Sequence, residues 1–271
     1  MRGSRSGAAF FGHTPATLAS GESAHMPDPR SSPRGSLARG LALAAGIWAP
    51  HGHSAGGHFA VDDAAILDAG TCQVETWWER ADHAGSLLHV GPACRVGPVE
   101  LAVNADRIQP RERAPQTPVG PQIKWAATID ERVSVGLVAL VAWQGSAPRY
   151  AGATLYVPLT LRVADALQLN VNVGRDWLRD LPARGRAGAS LEWQVVPAWT
   201  IIGERYRQFG ADFARLGVQW QQSNSLGFDL SRARGVGTTS AGIWTLGATW
   251  TFDTASARRS PDGAVAHGIS P

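Results

Sequence analysis

The stretch Val133-Ser-Val-Gly-Leu-Val-Ala-Leu-Val-Ala-Trp-Gln144 places Val133, Val135, Leu137, Ala139, Val141 and Trp143 on one parity. Successive side chains of an extended strand point to opposite faces, so alternation at period two marks a strand with two unlike environments. The stretch is also the longest mainly apolar run beyond the N-terminal region. It falls well short of the ~18 to 20 residues a membrane-spanning helix needs, but it matches the ~9–11 residues of a tilted membrane strand.

Working outward from it, the same alternation recurs in twelve runs: Cys72–Glu79, Leu87–Val96, Val99–Arg107, Gln122–Ile129, Val133–Gln144, Ala153–Arg162, Leu167–Trp177, Ser190–Val196, Trp199–Gln208, Phe213–Gln221, Leu226–Ser231 and Ile243–Phe252. One face is apolar, as with Val99, Leu101, Val103 and Ala105, or Leu167, Leu169, Val171 and Val173. The other carries Glu75, Glu79, His89, Glu100, Asp106, Lys124, Arg162, Glu192, Arg215 and Asp229. Arg107 and Arg175 fall on the apolar parity near strand ends, where a long side chain can snorkel. In the ninth run the adjacent Glu204 and Arg205 put a charge on each face, which predicts a bulge or a shifted boundary there.

Connections alternate in length. Gly97-Pro98, Asp130-Glu131-Arg132 and Ala164-Asp165-Ala166 are tight, whereas Gln109–Pro121, Leu178–Arg186 and Ala233–Gly242 are longer. Short turns on one side and long loops on the other are the habit of even-stranded bacterial outer-membrane barrels. The fold expected is therefore all-β, an antiparallel up-and-down transmembrane β-barrel of about twelve strands, with both ends of the barrel chain in the periplasm.

Composition agrees. Of 271 residues 44% are hydrophobic and 17% charged, with 31 Gly and 11 Trp; this excludes a disordered chain, a coiled coil and a disulfide scaffold. Trp78, Trp143, Trp177 and Trp244 fall near the predicted outer ends, and Trp199, Trp220, Trp250 and Phe252 near the periplasmic ends. Amphipathic rings in two belts read as interface girdles; ordinary core tryptophans of a soluble β-protein are the alternative.

The N-terminus reads as an export signal. From Met26, Arg30, Arg34 and Arg39 precede the short apolar Leu41–Ala49, and small residues follow, placing cleavage near Ala55. The organisation expected is a leader and signal over 1–55, a periplasmic segment over 56–71, the barrel over 72–252 and a polar disordered tail over 253–271. Removing 1–55 takes away five Arg and two acids, and leaves 20 basic and 20 acidic residues. The formal +3 thus belongs to the leader and is no argument for nucleic acid.

Cys72 and Cys94 face each other if the first hairpin centres on His83. Opposed residues of an antiparallel pair lie close enough to bridge, and the periplasm is oxidising. A Cys72–Cys94 disulfide is expected.

The last run, Ile243-Trp-Thr-Leu-Gly-Ala-Thr-Trp-Thr-Phe252, resembles the closing strand of bacterial outer-membrane proteins, which implies recognition by the barrel-assembly machinery and a lipid environment. The polar residues after Phe252 depart from that pattern. His58-Phe-Ala-Val-Asp-Asp-Ala together with Cys72-Gln-Val-Glu-Thr-Trp is loosely similar to exported proteins related to outer-membrane transporters of the phenol-degradation MetA-pathway type. That resemblance implies passage of small apolar or aromatic solutes.

Other enzyme signatures are missing from the sequence: no P-loop or H-E-x-x-H occurs, and Gln222-Ser-Asn-Ser-Leu-Gly lacks the preceding His of outer-membrane phospholipases. No cofactor or metal is expected; His51, His53 and His58 read as a solvated leader, and Asp62 and Asp63 as caps of the periplasmic segment. The function expected is a channel or transporter for small solutes, with the polar face as lumen. A closed structural or adhesive barrel, and a soluble lipocalin-like binder with its faces reversed, are the alternatives.

Overall fold

The computed structural model describes residues 57–145, 149–237 and 242–254. Twelve strands follow in order: β1 (Thr71–Ala81), β2 (Gly85–Val96), β3 (Val99–Pro110), β4 (Pro118–Thr128), β5 (Val133–Gln144), β6 (Arg149–Ala164), β7 (Leu167–Leu178), β8 (Arg184–Val196), β9 (Trp199–Gln208), β10 (Ala211–Ser223), β11 (Leu226–Gly235) and β12 (Gly242–Asp253). Each pairs antiparallel with the next, and β1 closes on β12 from Thr71↔Asp253 to Ala81↔Ile243. The result is a closed barrel with no sheet edge left open. The expected leader and signal over 1–55 lie outside the described residues, as do the residues beyond 254.

The pleat separates the two faces as the alternation requires. Leu101, Val103, Leu137, Leu155, Val157, Leu159, Val173, Leu191, Leu216 and Leu246 are exposed on the outer wall. Their alternating neighbours Glu100, Lys124, Asn170, Asn172, Ser190, Glu204, Asp229, Ser231 and Thr245 are buried inside. A wall that is apolar outside and polar inside suits lipid around and polar matter within. The described residues include no helix long and apolar enough to cross a membrane; a barrel crosses with strands.

Several boundaries move, among them the start of β6 at Arg149 and the end of β11 at Gly235. β4 begins at Pro118 and β8 at Arg184, both earlier than the alternation indicates, because Pro118-Val-Gly-Pro and Arg184-Gly-Arg-Ala-Gly-Ala carry little contrast between faces. The long-loop side is accordingly less extended than expected, with β1 and β2 joined by residues 82–84 and β9 and β10 only by Phe209-Gly210. The bulge expected in the ninth run is not there. β9 pairs with β10 without a shift, and its slip against β8 lies at Gln194/Val196, beside the turn. Glu204 points inward and is buried while Arg205 points outward and is exposed. Arg205 belongs with Arg107 and Arg175, exposed arginines on the half of the barrel away from the short turns.

β1 and β2 form the hairpin centred on His83, which takes φ 61°, with Cys72 opposite Cys94. Their sulfurs are bonded. Trp78, Trp143, Trp177, Trp199, Trp220, Trp244 and Trp250 are all exposed on the outer wall, and Phe252 lies beside Trp250 with ring centroids 4.8 Å apart.

Candidate functional site in the barrel interior

The interior is occupied by the chain itself. Residues 57–70 precede β1, and instead of forming a separate periplasmic segment they turn back and make a circuit of the inner wall. Leu67 N–H donates to Glu100 Oε2 on β3 at 3.0 Å, and Ala64 N–H donates to Thr160 Oγ1 on β6 at 2.8 Å. Ala60 and Val61 donate to the two oxygens of Glu204 on β9, at 3.2 and 3.0 Å. Arg186 Nη2 on β8 donates to Ala60 O at 3.2 Å. The expectation of a periplasmic 56–71 fails because its polar groups find partners on inward-facing strand residues far away in sequence, which period-two reading cannot register.

Asp62 and Asp63 are the centre of this plug. Lys124 Nζ lies 2.9 Å from Asp62 Oδ1 and 3.1 Å from Asp63 Oδ1. Tyr156 OH donates to Asp62 Oδ2 at 3.1 Å. Asn172, with its amide nitrogen toward Asp62 O, donates there at 2.8 Å and accepts from Asp62 N–H at 2.7 Å. Lys124 is the only lysine in the 271 residues, and its side chain is 3% exposed. A buried ammonium of this kind is tolerable only with close counter-charges, and the plug supplies two.

His58 forms a second anchor. Its Nε2 lies 2.5 Å from Ser231 Oγ, its Nδ1 meets Asp229 Oδ1, and its carbonyl accepts from Arg215 Nη1. Carboxylate, imidazole and hydroxyl stand in the order of a hydrolase triad. Ser231 is itself buried, 2% exposed. A Cβ on Gly217 would fall 2.8 Å from Ser231 Cβ and 2.9 Å from the Phe59 ring. The His58 contacts tie it to β10 and β11. Gly188 makes a similar niche, where a Cβ would fall 2.6 Å from Val61 Cγ2. Val61 packs there with Tyr206 and Phe213, and Leu67 packs with Ala93 and Ala102.

The sequence-derived interior residues are placed as follows. Glu75, Glu79, His89, Glu100, Asp106, Lys124, Glu192, Arg215 and Asp229 all lie on the inward parity, but most are engaged with one another or with the plug. His89 Nδ1 lies 2.6 Å from Asp106 and its ring stacks on Trp77 at 3.5 Å. Arg215 faces Glu204 at 3.3 Å and Glu79 at 3.9 Å. Asn170 Nδ2 donates to Glu192 at 2.6 Å. Arg162 differs: it is exposed at the mouth, where it lines a 350 Å³ recess with Thr128, Glu131, Arg132, Ser134 and Thr160. A register slip at Arg162/Ala164 ends the regular wall there. Sequence reading missed Arg186, Glu204, Tyr206 and Asp176. Of these, Glu204 was signalled by its parity, opposite to that of Arg205. Among the described residues no group of three or more His, Cys, Asp or Glu is placed to hold a metal ion.

A family model matches residues 43–252, the barrel and its plug included. The chain belongs to the family described as uncharacterised conserved protein UCP029691. No curated protein matches it in sequence. Among solved structures it is similar to the KdgM porin in complex with disordered oligogalacturonate, with TM-score 0.56 and 10% identity over 66% of this chain and 99% of that one. It is also similar to the NanC porin, with TM-score 0.52 and 11% identity over 66% and 98%. At these identities the likeness is one of fold. The chain therefore has the closed β-barrel fold of these outer-membrane porins, with an apolar outer wall.

Proposed function

We propose that this protein is an outer-membrane channel or transporter for small solutes, held closed by its residues 57–70. The observation that carries the reading is the chemistry of the interior. The plug is fastened to a polar wall mainly by hydrogen bonds and ion pairs, and water can replace such contacts when the plug moves. An interior built only to be filled would be expected to use apolar packing. The porin folds to which the barrel is similar support the same reading.

The solute would meet two kinds of surface. Trp77 on His89 and Tyr206 on Phe213 offer aromatic faces, in keeping with the small aromatic solutes implied by the resemblance to phenol-degradation transporters. Lys124, Arg186 and Arg215 offer charge. The test is planar-bilayer conductance of the full processed chain beside an Asp62→Asn/Asp63→Asn variant. Rare openings in the first and frequent ones in the second are expected. Two folded barrels that never conduct would overturn the proposal in favour of a closed structural barrel, the reading favoured by the filled interior.

A further inference from the structure

The outer wall, apolar over most of its height, is charged on one half only. Within the strands, no Asp, Glu, Lys or Arg among the described residues takes the outward parity on the half nearer the short turns. On the other half that parity carries Arg107 on β3, Arg175 on β7 and a cluster of arginines running from β9 to β1. Register builds the cluster. Arg205 on β9 and Arg234 on β11 both pair with Ala214 on the strand between them. Their Cα atoms are thus two strand spacings apart, about 9.6 Å, with only a methyl group between. Arg232 on β11 and Arg80 on β1 likewise both pair with Trp244 on β12, and the Arg232 guanidinium lies over the indole, 5.0 Å from the ring centroid.

Some of these charges are answered within the chain. Arg207 meets Asp212 at 2.6 Å, and Arg232 meets Asp82 at 2.5 Å. Arg80, Arg205 and Arg234 are exposed and have no carboxylate within ion-pair distance among the described residues. Arg107 and Arg175 have none either, but each stands alone, paired across the sheet with Leu88 or with Leu155 and Gly185. Snorkelling to water accounts for such single arginines; it gives no reason for them to gather on neighbouring strands.

Toward the middle of the wall the same face turns aliphatic. Leu216 shares the register row of Arg232, and Leu230 pairs with Leu246 in the next row. Leu216 and Leu246 are 64% and 55% exposed. Gly203 pairs with Leu216, and a Cβ placed on it would meet nothing within 4 Å, so the wall is bare there. Unanswered guanidiniums above and exposed leucines below suit a ligand that is anionic at one end and apolar at the other. Guanidinium forks hold phosphate through paired N–H···O bonds, and clustered basic residues at a membrane surface recognise anionic lipid headgroups.

We propose that the β9–β1 face, with Arg80, Arg205 and Arg234 at its centre, seats the phosphate headgroup of a phosphorylated outer-leaflet glycolipid whose acyl chains lie on Leu216, Leu230 and Leu246. The half of the barrel away from the short turns then lies in the leaflet that carries the phosphates. The proposal goes beyond passage of solutes and rests only on the part of the reading above that puts the barrel in the outer membrane.

The test is native mass spectrometry of the full processed chain, extracted as a folded barrel in detergent and titrated with bisphosphorylated diglucosamine lipid A. Wild type is expected to bind it at least about tenfold more tightly than the same lipid stripped of its phosphates. Arg205→Gln/Arg234→Gln is expected to lose that preference and Arg107→Gln/Arg175→Gln to keep it. Equal binding of both lipids by wild type, a result that needs no variant to fold, overturns the seat, as does the same loss in both double variants. Displacement of the lipid by an equal concentration of inorganic phosphate overturns the lipid in favour of a free anion. Gel mobility of the unboiled chain in isolated outer membranes is measured alongside. A barrel found there without a preference for phosphorylated lipid sinks the seat and leaves the membrane reading. A chain found in the soluble periplasm, with no mobility shift, sinks the membrane reading and the seat with it.

Discussion

Lys124 on β4 reaches across the interior to Asp62 of the plug at 2.9 Å, and this contact joins the wall of the barrel to the segment that fills it. Removing both acidic partners leaves the Lys124 ammonium without its two ion pairs, with Glu100 as its direct neighbour in register on β3. In Asp62→Asn/Asp63→Asn we expect acetylation of Lys124 in the folded barrel to rise at least about tenfold, equivalent to about 1.4 kcal/mol against the seated plug. An unchanged rate in a folded variant would mean that the ion pairs do not hold the plug.

The glycine niches give a steric version of the same test. Gly188→Val puts side-chain atoms where Val61 sits, at 2.6 Å from its Cγ2 already for the Cβ. Gly217→Val does so against Phe59. Overfilling a packed site costs about 1–3 kcal/mol, and displacement of the plug relieves part of it. Both variants are expected to raise Lys124 acetylation and channel opening while keeping the faster gel mobility of an unboiled barrel.

The Cys72–Cys94 bridge spans 22 residues of sequence, and cross-links closing loops of this size contribute about 3 kcal/mol in the chain-entropy picture. Cys72→Ser/Cys94→Ser is expected to lower the temperature at which the unboiled band is lost. An unchanged transition temperature would mean that closure of β1 on β12 already fixes this hairpin.

At the other end of the hairpin, Arg232 Nη2 lies 2.5 Å from Asp82 Oδ2. The hydrogen bond from Arg232 holds the Asp82 carboxyl below its ordinary range. A carboxyl with a lowered folded-state pKa contributes stability that is present above the unfolded value, near 3.9, and is lost as pH falls through the lowered one. Acid should therefore loosen the 82–84 turn in the wild type, and Asp82→Asn should remove that step. Hydrogen exchange of the turn amides between pH 5 and pH 2 measures it, the pH values being about a unit or two either side of the ordinary carboxylate range.

Interior charge should also set ion preference once the plug is out. Glu100→Lys or Asp106→Lys, made in the Asp62→Asn/Asp63→Asn background, is expected to move the reversal potential toward anions. No movement would place the conducting path away from these residues.

The wall of the barrel was legible because lipid and interior impose unlike chemistry on alternate residues. Val133 to Trp143 and Leu167 to Val173 therefore declare both strand and face. Pairing of Cys72 with Cys94 followed from one turn centre. Legibility failed where this contrast fades, as at Arg184-Gly-Arg-Ala-Gly-Ala, and at Arg205, whose long side chain can lie outward without a bulge. It failed most over 57–70. Small residues with two adjacent aspartates have no period, and their partners Lys124, Thr160, Glu204 and Ser231 come from four distant strands. Only closure of the barrel brings these together, so no local window contains the signal. The lone lysine was the one available hint that acidic residues elsewhere would be drawn to it.

The plug is covalently continuous with β1, and Leu67 is only five residues from Cys72, whose sulfur is bonded to β2. It therefore behaves as a tethered ligand. A short tether presents its ligand to the seat at an effective concentration in the millimolar range. A solute arriving from bulk and competing for Lys124 with comparable affinity must reach that range before it displaces the plug. On the proposed function, a barrel closed in this way would respond to abundance: traces of solute would leave it shut, and passage would begin when supply rises above the threshold set by tether length.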